Sequence, residues 1–252
     1  MNSTFVIAKN TFRETLRDRI LYGIVGFGIA YILCVLFLAK LALGDLVMIK
    51  SFGLAGIYLF GLVITIFLGA SLIYKEIERR TLYFVLSKPV RRSNIIIGKF
   101  FGLLAAVTVT IALMTVFYLC VIAYEGGGFD LRGLLAILFQ IMEMSVFIAL
   151  LTLISTVAAP LTSTICAMML LFAGHLLNTV ILNAHRIGGV AYRFIQVLYY
   201  LLPNLEKFNV RGVVVHAVPL SASSALLTLG YAVAYDIFLL FLATLLFRRK
   251  EL

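Results

Sequence analysis

Six long apolar runs divide this sequence: Ile20–Leu43, Leu54–Tyr74, Phe100–Tyr124, Leu134–Ala158, Leu161–Leu182 and Ala225–Phe247. As a helix, each is long enough to cross a hydrocarbon core of roughly 30 Å, which takes about 20 residues. A lone strand cannot satisfy its backbone in lipid, and a barrel is written in short alternating segments, so helices are the remaining solution. Composition agrees. The chain is 63% hydrophobic and 13% charged, with a mean hydropathy of +1.12, whereas soluble domains run nearer half apolar and a quarter charged. The fold class is therefore an all-α integral membrane protein with six transmembrane helices, forming a single transmembrane domain over residues 1–252.

The placement of basic residues sets the orientation. With both termini cytoplasmic, the inner segments hold Lys9, Arg13, Arg17, Arg19, Lys75, Arg79, Arg80, Lys88, Arg91, Arg92, Lys99, Arg248, Arg249 and Lys250. The outer segments hold Lys40, Lys50, Arg132, Arg186, Arg193, Lys207 and Arg211. The last four of these share one long loop, which weighs little in the positive-inside rule. The net charge of +10 is thus a topology signal, and attraction of the inner rim to anionic membrane lipids follows from it. A nucleic-acid partner would need a basic folded domain, which the sequence lacks. The first run exceeds a signal-peptide core and lacks a small-residue cleavage site, so it reads as a retained span.

Three segments outside the spans carry structure of their own. Residues 1–19 are amphipathic: Phe5, Ala8, Phe12, Leu16 and Ile20 recur at steps of three and four beside a row of Lys9, Arg13 and Arg17. That pattern suits a helix lying in the interface, either as a topogenic anchor or as a lever to a cytosolic partner. Gly44–Gly53 and Glu125–Gly133 read as short outer connections with turn chemistry. Asn183–Ser224 is too apolar for solvated coil and is interrupted by Pro203 and Pro219. It reads as short re-entrant-like helices dipping into the outer leaflet, or as a small extracytoplasmic cap.

The cytoplasmic island 75–99 is the richest in charge, and it opens with the helix-like string Lys75, Glu76, Ile77, Glu78, Arg79, Arg80, Thr81, Leu82. Charged side chains around an apolar anchor of Ile77 and Leu82 suit docking to another protein.

Several polar residues fall inside the spans. Gln140 and Glu143 lie one turn apart in the fourth, Asp236 lies midway along the sixth, and His175, Asn178 and Thr179 share a face of the fifth. Intramembrane carboxylates are costly and face a bundle interior or an aqueous path. These six residues are candidate cavity-lining groups, against the plainer reading of polar packing between helices. Cys34, Cys120 and Cys166 read as buried small apolar residues, without a CxxC pair. Met142, Met144, Met168 and Met169 lack the repeat or paired histidines of a metal site, so no metal is expected. Gly98-x-x-x-Gly102, Gly26-x-x-x-Ala30 and the Gly53, Gly56, Gly61 series permit close helix approach within a bundle or between subunits.

No phosphate-binding G-x-x-x-x-G-K-[ST] loop, H-E-x-x-H zinc motif or G-x-S-x-G elbow is present. If ATP drives this protein, the ATPase is another chain, and no cofactor is expected in this one.

The run FLGASLIYKEIERRTLYFVLSKPVRRSNIIIGKFFG resembles the end of span two, the cytoplasmic loop and the start of span three in ABC-2-type transporter permeases. AKNTFRETLRDRILYGI is similar to the entry of that family, and LYYLLPNLEKFNVRG to the outer stretch of its NosY-like branch. The resemblance implies a type V ABC exporter architecture in a bacterial or archaeal cytoplasmic membrane. Two six-span subunits, as homodimer or heterodimer, would each sit on a cytosolic ATPase that uses ATP and Mg. It places the coupling helix around Lys75–Tyr83, makes residues 1–19 the connecting helix and makes 183–224 the re-entrant pair. Two other readings stay open: a mechanotransmission permease acting on an extracytoplasmic partner in cofactor or metal-centre maturation, and an ATP-independent secondary carrier using Glu143 and Asp236.

Overall fold

The computed structural model describes residues 3–41, 45–70, 91–187 and 189–249. Nine α-helices and one 3₁₀ turn occupy them: α1 (Ser3–Leu16), α2 (Arg19–Leu41), α3 (Leu46–Gly69), α4 (Arg92–Tyr124), α5 (Leu131–Ser155), α6 (Pro160–Ile187), α7 (Gly189–Leu201), the turn Leu205–Phe208, α8 (Arg211–Val215) and α9 (Ala222–Arg249). No strand occurs among the described residues. The helices α3, α4, α5, α6 and α9 are each long and apolar enough to cross a membrane, and the pair α1–α2, bent by 62°, raises the number to six. The all-α membrane fold expected from hydropathy is what the chain adopts.

Two helix starts differ from the sequence expectation, and in both the cause is polar residues that find partners. The connection read as Gly44–Gly53 is largely helix, because Asp45 caps α3 by accepting from the Val47 amide at 2.9 Å. Lys50, within that helix, pairs with Asp130 at 3.1 Å. Likewise α4 starts at Arg92 rather than Phe100, so the last part of the island 75–99 is helical. Lys99 there is buried.

Successive spans run antiparallel. A Cβ built on Gly53 of α3 would lie 2.6 Å from the Tyr118 ring of α4, while one on Gly69, at the other end of α3, would lie 2.9 Å from Leu151 of α5. The glycines at these crossings therefore serve packing inside the chain; Gly56 meets Tyr31 of α2, whereas Gly26 faces no neighbour within 4 Å. At the end of the bundle where the chain begins, α1 lies along the first turns of α4. Cβ atoms on Gly98 and Gly102 would approach the Thr4 and Ala8 carbonyl oxygens to 2.9 and 2.6 Å. Asn94 donates to the Ser3 hydroxyl at 2.6 Å. Arg92 donates at 3.1 Å to the Phe247 and Arg248 carbonyls, closing the end of α9 onto the start of α4.

The centre of the bundle is α5, whose apolar stretch is 72% buried, against 11% for α9. Cys34 and Cys120 are exposed rather than buried, and all three cysteines are free thiols.

Candidate functional site

The inward face of α5 carries Glu143, with 2% of its surface exposed. A charge there must be partnered, since the surrounding medium cannot solvate it. The partners come from two other helices. Tyr58, on α3, donates its hydroxyl to Glu143 Oε1 at 2.6 Å. His175, on α6, sets Nε2 2.9 Å from the same oxygen and 3.0 Å from the Tyr58 hydroxyl. The other imidazole nitrogen, Nδ1, lies 3.0 Å from Glu206 Oε2 in the 3₁₀ turn. With a proton on each nitrogen the ring donates to both carboxylates; with one proton, one carboxylate faces a lone pair. The result is a continuous polar chain from α3 and α5, through α6, to the segment between α7 and α8.

Charge in that segment completes the cluster. Asn209 donates to Glu206 Oε1 at 3.0 Å, and Arg211 donates from Nε to Asn209 Oδ1 at 3.3 Å. The Arg211 guanidinium carbon sits 4.6 Å from the centroid of the Tyr58 ring, a distance at which the cation is attracted to the ring face. One turn before Glu143, Gln140 donates to the Leu54 carbonyl at 3.1 Å, while its Oε1 is buried without a partner.

The turn itself is irregular backbone, and side chains from neighbouring helices partner its polar groups. Asn204 donates its backbone amide to the Tyr231 hydroxyl at 2.7 Å and its side-chain amide to Asn178 Oδ1 at 2.7 Å. Tyr235 donates to the Leu202 carbonyl at 3.3 Å. Gly174, adjacent to His175, lets the turn approach: a Cβ there would lie 2.8 Å from the Pro203 carbonyl oxygen and 2.9 Å from Leu205. Between α6 and α9 the described residues form two short helices, α7 and α8, and a 3₁₀ turn, docked through Gly174 and His175.

Of the sequence candidates, the structure brings Glu143 and His175 into direct contact, with Gln140 one turn away on α5. Asn178 belongs to the adjoining turn network. Thr179, expected on the same face, is exposed and takes no part in either network, because it lies about 40° round the helix from His175 on the side away from Asn178. Asp236 stands apart. Its Oδ2 accepts from the Ser145 hydroxyl at 2.8 Å, and its Oδ1 is buried without a partner among the described residues. Tyr58, Glu206, Asn209 and Arg211 had no counterpart among those candidates. Tyr58 was masked by the apolar run around it, although Gly56 and Gly61 nearby signal a packed face; Glu206 is the one acidic residue in LYYLLPNLEKF, a signal that the loop's composition alone did not reveal. The docking residues Lys75, Glu76, Ile77, Glu78, Arg79, Arg80, Thr81 and Leu82 lie outside the described residues.

Among known proteins, a family described as ABC-2 family transporter protein matches residues 37–252. No curated protein matches the chain.

Proposed function

We propose that this chain, which belongs to the ABC-2 transporter family and is a multi-pass membrane permease subunit, couples ATP hydrolysis on a separate cytosolic ATPase to outward movement of a substrate. In this reading the ATPase uses ATP and Mg, and two permease copies pair with two ATPases in a cytoplasmic membrane with both termini inside. The coupling contact is Lys75–Leu82. Glu76, Glu78, Arg79 and Arg80 give orientation by charge, and Ile77 and Leu82 supply the apolar anchor.

One observation carries the reading. The helix that enters the coupling segment, α3, bears Tyr58, and Tyr58 is bonded to Glu143 and His175, which reach Glu206 in the opposite segment. An axial shift of α3 driven from below therefore acts on a polar connection that joins three spans to the 3₁₀ turn. At the same end, α1 is seated on α4 through Gly98 and Gly102, so residues 1–19 act as the connecting helix beside the coupling segment. Glu143, His175, Gln140 and Asn178 then line or latch the route rather than perform chemistry, and no catalytic residue is assigned.

A second reading draws on α7. Phe194, Val197 and Tyr200 recur at steps of three and are all exposed, and the row runs into LYYLLPNLEKFNVRG, the stretch similar to the NosY-like branch, at Tyr200. An apolar row of that kind fits a mechanotransmission permease whose outer segment docks on an extracytoplasmic partner.

The test is co-purification in mild detergent with the candidate ATPase, comparing wild type with a Glu76→Ala/Arg79→Ala/Arg80→Ala variant. Retention of the ATPase by wild type and its loss or uncoupling in the variant supports the assignment. Failure of any ATPase to associate under every nucleotide condition overturns it. ATPase coupling that survives while no substrate moves favours the second reading.

A further inference from the structure

The start of α4 and the end of α9 enclose a groove of about 420 Å³ that neither network uses. Its walls are Ile97 and Phe101 on α4 and Ile237, Leu240, Phe241 and Leu245 on α9. Ser93, Thr244 and Arg248 line it as well, with Ser93 and Arg248 at the end of the groove where the chain begins and ends. That end is fixed, because Arg92 ties α4 to the last carbonyls of α9. Among the described residues none pairs with the Arg248 guanidinium, and the residue is exposed.

The dimensions select the occupant. From Ile237 to Arg248 the groove follows α9 for roughly 16 Å at 1.5 Å per residue, close to half of a roughly 30 Å hydrocarbon core. It is an apolar slot one leaflet deep with a hydroxyl and a cation at its headgroup end. Its volume falls within the roughly 300–1,000 Å³ typical of small-molecule sites. A second hollow, between α1 and α4 on the far side of Phe101, is lined by Lys9 and Arg13, so positive charge flanks α4 on both sides. The hollow between α3 and α6, lined by Val63, Ile66, Phe67 and Leu161, has comparable size at about 510 Å³ but no cation among its lining residues.

We propose that the α4–α9 groove is a binding site for an anionic phospholipid, with an acyl chain along Phe101 and Phe241 and the phosphate at Arg248 and Ser93. Basic pockets between membrane helices select such headgroups, whereas a lone Arg at a helix end merely marks the interface. The paired ridge of α4 and α9 is what converts the second situation into the first. Selection rests on one cation and one hydroxyl, so the preference is modest and specific to this groove.

The chain contains no Trp, so one introduced Trp reports on one place. The full-length Phe241→Trp variant is reconstituted in vesicles of phosphatidylcholine and phosphatidylglycerol, with brominated versions of either lipid as quencher. The expected result is a preference for brominated phosphatidylglycerol of about fivefold, the scale set by one surface cation against anionic lipid. Arg248→Gln added to the reporter abolishes it, and Arg248→Lys restores most of it. Phe67→Trp, in the groove without a described cation, shows little preference. Equal quenching by the two lipids at Phe241→Trp, a preference unmoved by Arg248→Gln, or an equal preference at Phe67→Trp each overturns the proposal. So does a Phe241→Trp signal that neither lipid quenches, which would mean that protein covers the groove.

Discussion

On one side of α5, Glu143 is held by Tyr58 and His175, and through His175 it reaches Glu206. On the other, Asp236 has the Ser145 hydroxyl on one oxygen and nothing on the second. Positions 143 and 145 are two residues apart, which on a helix is about 200° of rotation, so α5 turns Glu143 to one side and meets Asp236 of α9, through Ser145, on the other. Both are intramembrane acids in sequence, and nothing in their residue type separates them. The difference lies in how many helices supply partners. Glu143 joins α3, α5, α6 and the 3₁₀ turn, so removing it opens a junction. Asp236 bridges α9 to α5 alone, and even that bond is contested, because the single Ser145 proton also faces the Met142 carbonyl at 2.8 Å. The first is a clasp and the second a loosely held group.

The largest expected effect is on the clasp. Glu143→Ala takes the shared acceptor from the Tyr58 hydroxyl and His175 Nε2 and leaves them only their mutual contact at 3.0 Å, and breaking a buried pair in this way costs about 3–5 kcal/mol. Denaturation followed in mild detergent measures it. Glu143→Gln keeps an acceptor oxygen for Tyr58 and should lose markedly less. A loss below about 1 kcal/mol for Glu143→Ala would place the two carboxylates in the same class and end the contrast.

Next comes the approach of the outer turn. Gly174→Val puts side-chain atoms where the Pro203 carbonyl and Leu205 already stand, and overpacking of this kind costs about 1–3 kcal/mol. If the damage acts by lifting Glu206 away from His175, the variant and Glu206→Gln should be non-additive in a double-mutant cycle. Strict additivity would show that the turn is held by packing alone and that the clasp ends at His175. Of comparable size, Tyr58→Phe removes one hydroxyl while leaving the ring beside Arg211, and a hydrogen bond to a charged group is worth about 1.5–3 kcal/mol. The lower end is expected because His175 still contacts Glu143.

The sequence made the spans legible, because a membrane helix must be apolar along about 20 residues whatever it packs against. Helix ends were less so. Asp45 and Arg92 begin helices inside segments that composition assigns to loops, since a cap, an Asp130 partner for Lys50 and a Ser3 partner for Asn94 come from tertiary contacts. The polar faces of Gln140 with Glu143 and of His175 with Asn178 could be read from helical spacing. Which face met which could not, because helix rotation is set by packing partners such as Gly174 and Tyr58, distant in sequence from Glu143. Thr179 shows the limit in one residue: its spacing from His175 fitted a shared face, and its exposure removes it from the cluster.

The smallest effect is expected at Asp236, and it is the sharpest test of the contrast. Asp236→Ala removes one interhelical hydrogen bond, and such bonds average only about 0.6 kcal/mol in membrane proteins. It also removes the unpartnered Oδ1, whose burial is a cost in the folded chain. Ser145 keeps the Met142 carbonyl, so no new orphan is created. The two contributions oppose each other, and the net change in unfolding free energy should stay below about 1 kcal/mol, several-fold less than for Glu143→Ala. Measured side by side in the same detergent, the pair of variants separates a junction from a loosely held group. Equal losses would mean that Asp236 has partners beyond this chain, and a second permease copy against the exposed α9 would then be the first place to look for them.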